Sequence, residues 1–229
     1  MEEIICLILC VLTLIVLKIV FKVSLKQAKK IEENKELQEI TDKFSENTKI
    51  AKEMLKMLNN DSVIIEEEKG TKTSLYIAIT NKILIAELKN NYGRIQTIAH
   101  ECIHSVQDRR LLMFNFIFSN FTILYFVISV ILMLCKVFTN GILQAFIIAL
   151  FALIEFSVRG YLEIDAMTKS KFLAKDYIEK KQVITEEEKE QLLKEYDKIN
   201  KMGIPFTLNY LISKSLIRII IVLMTGVLI

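Results

Sequence analysis

Residues 111–135 contain no charged side chain, and this run constrains the fold more than any other feature. About 20 apolar residues in a helix cross the hydrocarbon core of a bilayer, so the block is predicted to span a membrane. The overall composition conceals it: 52% hydrophobic and 25% charged is close to a soluble average, but the apolar residues come in blocks. One proline, six glycines and abundant Ile, Leu and Phe exclude a disordered chain. A net charge of +3 gives no ground for nucleic-acid binding. Cys6, Cys10, Cys102 and Cys135 form no Cys-x-x-Cys pair and read as inert buried thiols rather than a disulfide framework.

The remaining chain sorts into alternating apolar and polar segments. Residues 1–23 are expected to form an N-terminal transmembrane anchor. Their start is acidic and basic residues crowd the far end, the reverse of a cleaved signal peptide. Residues 24–110 form a polar segment that opens with a solvated helical linker. A helix follows over Ser45–Asn59, where Ile50, Met54, Leu55 and Leu58 recur at helical spacing. Two β-like runs, Ser62–Ile65 and Leu75–Ile79, flank a turn at Glu68-Lys69-Gly70. Residues 81–89 fit strand or helix, and Tyr92 to Arg110 reads as helix. Residues 111–158 make a transmembrane hairpin, turning at Lys136–Gly141.

Residues 159–204 are charged and helical in pattern, with Glu186-Glu187-Glu188 after Thr185 as a solvated helix start. The last segment, 205–229, is apolar yet carries Lys214 and Arg218; it fits a tilted fourth span or an interfacial helix. The expected fold class is a mainly α membrane protein, with three to four transmembrane helices and a small α+β cytoplasmic part.

Positive charge is distributed unevenly about the spans. Lys22, Lys26, Lys29 and Lys30, the Arg109-Arg110 pair, and Arg159, Lys169 and Lys171 all fall on one side. The positive-inside rule places both polar segments in the cytoplasm, with the N-terminus and the hairpin tip outside. The expected location is the cell membrane, multi-pass, with the lipid bilayer as a partner.

The only two histidines stand in His100-Glu101-Cys102-Ile103-His104. On a helix, residues four apart share a face, so both imidazoles can reach one tetrahedral Zn²⁺. Glu101 can then lean over the open metal position and accept a proton from water. The plain alternative is a pair of surface histidines on an amphipathic helix. Ile95, Ile98, Ala99, Cys102 and Ile103 give that helix packing faces, while Arg94, Gln96 and Gln107 mark it as partly solvated. A hydrolytic zinc site needs a third protein ligand. With no histidine left, it must be a carboxylate, and Glu155, Glu163, Asp165 and Asp176 are the candidates.

The tract His100-Glu101-Cys102-Ile103-His104-Ser105-Val106-Gln107, the hairpin after it, and then Glu163-Ile164-Asp165-Ala166 together resemble the YugP-type neutral zinc metallopeptidases of bacterial membranes, more distantly related to HtpX-like proteases. The resemblance spans most of the chain in element order, but its specific residues lie in these two tracts. Ile103 stands where the family often has glycine, and Thr71–Ala86 replaces an Asp- and Pro-rich tract. The resemblance implies a gluzincin-like membrane enzyme with a zincin-like cytoplasmic part and assigns Glu163 as third ligand. Asp165 is then a rival ligand, or a group that orients a ligand histidine from behind. An ion-pair ladder of Glu155, Arg159 and Glu163, spaced four apart, is the alternative use of Glu163. Tyr210, in Leu208-Asn209-Tyr210, resembles a Leu-Thr-Tyr tract of the family and is a candidate oxyanion donor, or simply an interfacial aromatic anchor.

The expected function is zinc-dependent peptide-bond hydrolysis with Glu101 as general base, acting on peptide or membrane-protein substrates. An extended substrate could pair with the edge of the Leu75–Ile79 run. The alternatives are a non-catalytic zinc-binding scaffold or degenerate peptidase homologue, and a transporter subunit. A transporter would need more polar residues in its spans than the Asn115, Ser119, Asn120, Thr122 and Ser129 of 111–135.

Overall fold

A computed structural model of the chain describes residues 2–21, 34–68, 70–71, 73–88 and 91–229. Of the solvated linker expected over 24–43, residues 24–33 lie outside the described residues; the rest is mostly helix Lys35–Asp42, and it is not a solvated linker, since Leu37, Ile40 and Thr41 are buried in the core. The described residues hold seven helices and three strands, in order: α1 Glu2–Val20, α2 Lys35–Asp42, α3 Asn47–Met57, β1 Ile64–Glu67, β2 Leu75–Ile77, β3 Lys82–Ile85, α4 Arg94–His104, α5 Arg109–Leu134, α6 Gly141–Lys181 and α7 Glu186–Leu228. Four of these, α1, α5, α6 and α7, are long and apolar enough to cross a membrane. The chain divides into two compact units: residues 1–23, 114–161 and 205–229 form one, and 24–113 with 162–204 the other.

In the first unit the interior is built on Met133, Ala145, Ile148, Val222 and Leu223, with Leu7, Cys6 and Cys10 against them. Ile8, Leu12, Ile117, Leu124, Phe146 and Leu153 face outward, the inverse of a soluble surface and what lipid requires. Several polar groups turn inward and are paired, although Asn115 Oδ1 is buried with no hydrogen-bond partner among the described residues. The Tyr125 hydroxyl donates to Gln144 Oε1 at 2.8 Å. Glu155, buried, lies 3.5 Å from Lys214 Nζ and 3.4 Å from Arg218, so the charges of the apolar C-terminal stretch meet a counter-charge. Gly141 and Gly226 approach so closely that a Cβ on either would lie 3.1 Å from the other's Cα, so a larger residue at either would push the two backbones apart by a few tenths of an ångström.

In the second unit a three-stranded sheet of order β1-β3-β2 supports two helices. β1 pairs parallel with β3 (Ile65 opposite Ile83), and β2 pairs antiparallel with it (Tyr76 opposite Ile83). Residues 82–85, equally compatible with either state in the sequence, are strand. Their central place in the sheet, with Ile83 and Ile85 fully buried, exploits β-branched residues on a packed face. One core joins Ile83 and Ile85 to Met54 of α3, Ile98 and Cys102 of α4, Tyr177 of α6 and Tyr196 of α7.

Several boundaries differ from those expected: β1 lies at Ile64–Glu67 rather than Ser62–Ile65, β2 ends at Ile77 rather than Ile79, and three helices differ as well. The helix read over Tyr92–Arg110 ends at His104. Asp108 then starts α5, its carboxylate accepting from the Arg110 N–H at 2.7 Å, an N-cap. The return span and the polar segment after it are one 41-residue helix, because a change from apolar to polar residues alters what a helix faces without breaking its hydrogen bonds. Helix α7 likewise runs through Pro205 for 43 residues. Its start is a capping box: Thr185 Oγ1 accepts from the Glu188 N–H at 3.2 Å, and Glu188 Oε2 accepts from the Thr185 N–H at 2.9 Å.

Candidate metal centre

Helix α4 is held from three sides, and this holding sets the site. Arg94 and Gln96, expected on a solvated face, are buried at 5% exposure. The Arg94 guanidinium donates to the carbonyls of Thr41, Phe44 and Ser45 and to Asn47 Oδ1, at 2.6 to 3.1 Å. Carbonyls at the end of α2 and in the turn to α3 are thereby satisfied by one side chain. Gln96 Nε2 donates to Asn200 Oδ1 of α7 at 2.7 Å. Cys102 is buried beneath the helix, where desolvation pushes its thiol well above the ordinary range; of the four cysteines expected to be buried it alone is fully so, Cys6 and Cys10 being half-buried and Cys135 exposed.

On the opposite face His100 Nε2 and His104 Nε2 lie 3.0 Å apart with their rings perpendicular. Glu163 of α6 reaches over from the neighbouring helix, its Oε2 3.4 Å from His100 Nε2 and 3.8 Å from His104 Nε2. All three ligand atoms fall within 4.8 Å of one another. Donors about 2.0–2.1 Å from a shared tetrahedral ion stand about 3.3 Å apart. The observed 3.0, 3.4 and 3.8 Å bracket that value, so two imidazoles and a carboxylate fit Zn²⁺ in both spacing and chemistry.

The other candidate carboxylates are placed elsewhere. Glu155 belongs to the first unit and is met by Lys214 and Arg218. Asp176 is exposed. Asp165 turns its Oδ1 to Lys169 at 2.7 Å and its Oδ2 to Gln107 Nε2 at 2.9 Å. Its hydrogen-bond route to His104 runs through that glutamine, whose Oε1 is 2.8 Å from His104 Nδ1. Tyr210 is 53% exposed and belongs to the first unit, whereas His100, His104 and Glu163 belong to the second.

Glu101 is buried at 6% exposure, and its Oε2 accepts the backbone N–H of Tyr76 at 2.7 Å. Nothing in the sequence flags this partner, because a main-chain donor carries no residue signature. Burial pushes the Glu101 carboxyl above its ordinary range. The nearby His100 and His104 charges and the Tyr76 N–H pull the other way, and Glu163 adds to the rise. Burial also opposes charge on Glu163, but hydrogen bonds from His100 and His104 outweigh it and hold the carboxyl well below the usual range. His104 shows the reverse balance. Desolvation disfavours its imidazolium, yet Glu163 and Glu101 prevail and raise its pKa.

Compared with protein-family models, curated proteins and solved structures, the chain matches none.

Proposed function

We propose that this chain is a membrane-bound zinc metallopeptidase that hydrolyses peptide bonds. The observation that carries the reading is the set of three donor atoms, His100 Nε2, His104 Nε2 and Glu163 Oε2, at tetrahedral spacing. A zinc ion held there supplies Lewis-acid activation of water and of the scissile carbonyl. Three protein ligands leave a position open for chemistry, whereas structural sites are usually closed by four.

Glu101 takes the proton of the attacking water and delivers it to the leaving amine nitrogen, acting as base and then acid. Its raised carboxyl pKa moves it toward the range in which one group can perform both transfers near neutral pH. β2 is an edge strand and its Tyr76 N–H touches the base. An extended peptide laid along that edge would have its backbone beside Glu101. The four membrane-length helices support a lipid-embedded setting and peptide or membrane-protein substrates, and the lysine and arginine pattern supports a cytoplasmic site.

A non-catalytic zinc scaffold is the second reading, and the near-complete burial of Glu101 is the observation in its favour. Glu101→Gln separates the two. The amide still accepts the Tyr76 N–H but cannot take a proton, so zinc content is unchanged while cleavage of casein or a broad peptide pool falls about 10²–10⁴-fold. Chelator abolishes the wild-type activity. Wild type that binds zinc but cleaves nothing supports the scaffold, and equal cleavage by both proteins removes Glu101 from the mechanism.

A further inference from the structure

Gln107 is an amide whose orientation is fixed by what surrounds it. Its Nε2 lies 2.9 Å from the Leu162 carbonyl oxygen and 2.9 Å from Asp165 Oδ2. A carbonyl and an ionised carboxylate only accept, so both amide hydrogens are committed to them and the amide cannot flip. Lys169, 2.7 Å from the other Asp165 oxygen, keeps that carboxylate charged. Oε1 is left to face His104 Nδ1 at 2.8 Å, and an amide oxygen can only accept. Nδ1 of His104 therefore carries a hydrogen in every charge state of the ring, and neutralisation removes the proton from Nε2. That atom stands 3.0 Å from His100 Nε2 and 3.8 Å from Glu163 Oε2.

We propose that Lys169, Asp165 and Gln107 form a positioning relay that selects the Nδ1–H tautomer of His104 and so presents the Nε2 lone pair to the metal. This deepens, and rests on, the zinc-peptidase reading. None of the three touches the metal position; they act through His104. The relay gives Asp165 the orienting task that was one of its two expected roles, and supplies the intermediary, Gln107, through which its hydrogen bond reaches the histidine. It also explains the break between α4 and α5. Ending α4 at His104 lets the turn over Ser105–Asp108 carry Gln107 back against the ring, between the histidine and α6.

Only two histidines are present, so ¹⁵N-histidine magnetic resonance of the full-length, metal-free protein at alkaline pH resolves each ring. Wild type should show His104 as Nδ1–H. Gln107→Met, similar in size but without the acceptor, should yield a tautomer mixture and weaken zinc binding about 10–100-fold. Gln107→Glu sets a carboxylate against Asp165 and the Leu162 carbonyl and should also weaken zinc. Adding Asp165→Asn, whose amide can donate to that carboxylate, should recover most of the loss, which general damage to the fold would not allow. A Gln107→Met protein with the wild-type tautomer and zinc affinity overturns the relay, and so does a double variant no better than Gln107→Glu alone. A wild type that binds no zinc but shows a His104 Nδ1–H lost in Gln107→Met upholds the relay while ending the zinc reading.

Discussion

The backbone N–H of Tyr76, on edge strand β2, donates to Glu101 Oε2 on α4 at 2.7 Å. A strand edge thus steadies the ionised form of the one carboxylate that the sequence places between two histidines. Because this N–H faces α4 rather than β3, a proline at position 76 removes it without costing a ladder bond. Loss of the donor raises the Glu101 carboxyl further, and a base must be ionised to act. The acid limb of kcat/KM is therefore expected to move to higher pH in Tyr76→Pro. Tyr76→Phe, which loses only the hydroxyl bond to Asn81, should keep the wild-type limb. Coincident limbs in all three proteins would sever the link between strand and base.

Zinc affinity should begin to fall at a higher pH than an ordinary histidine would dictate. His104 titrates above its usual value of about 6.5, and its proton must leave before a metal can bind. Acidification restores that proton, so affinity declines as pH drops through the raised pKa. Glu163, held well below the usual range, stays ionised throughout this window and contributes no proton. A zinc titration against a competing chelator checks this; affinity that stays constant to about pH 6 would contradict it.

Arg94 should be among the most costly residues to replace outside the metal centre. It is buried and satisfies three carbonyls and an asparagine from one guanidinium. Arg94→Met removes the donor from four acceptors, of which the Thr41 carbonyl keeps the Phe44 N–H; the other three cost at least about 3 kcal/mol at about 1–3 per unsatisfied group. For a chain of this size the melting temperature should drop by on the order of 6 °C or more, against no significant change for the exposed Lys52→Met. A melt indistinguishable from wild type would show that water replaces the guanidinium.

Membrane orientation is open to a direct check with thiol reagents in intact cells, using a background lacking Cys6, Cys10 and Cys135. Asn140→Cys, in the turn between α5 and α6, should label from outside, and Lys171→Cys should not. Labelling at Lys171→Cys from outside would reverse the assignment.

What the sequence revealed follows from which signals are local. The i,i+4 spacing of His100 and His104 is a property of one helix, and so is the apolar run 111–135; both are readable without tertiary structure. Glu163 sits on another helix and was one of four candidate carboxylates that only a resemblance ranked, since nothing in its surroundings tells a ligand from a member of an ion-pair ladder. Arg94 and Gln96 misled because a polar side chain signals solvent until the carbonyls it serves are known. Tyr76 was silent as a main-chain donor. Gln107 was visible as a letter in a motif, but its task depends on Leu162 and Asp165, some 55 residues away. The continuous α6 and α7 were hidden by a composition change that looks like a boundary and is not one.

The most direct test is the zinc content of detergent-purified protein, measured on wild type, His100→Ala/His104→Ala, Glu163→Ala and Asp165→Ala. The expected result is about one zinc per wild-type chain, none in the double histidine variant, and a large loss in Glu163→Ala. Asp165→Ala should retain the metal at saturating zinc, with weaker affinity. Full occupancy in the double histidine variant would contradict the site, and metal stripped by Asp165→Ala but not by Glu163→Ala would contradict the choice of third ligand.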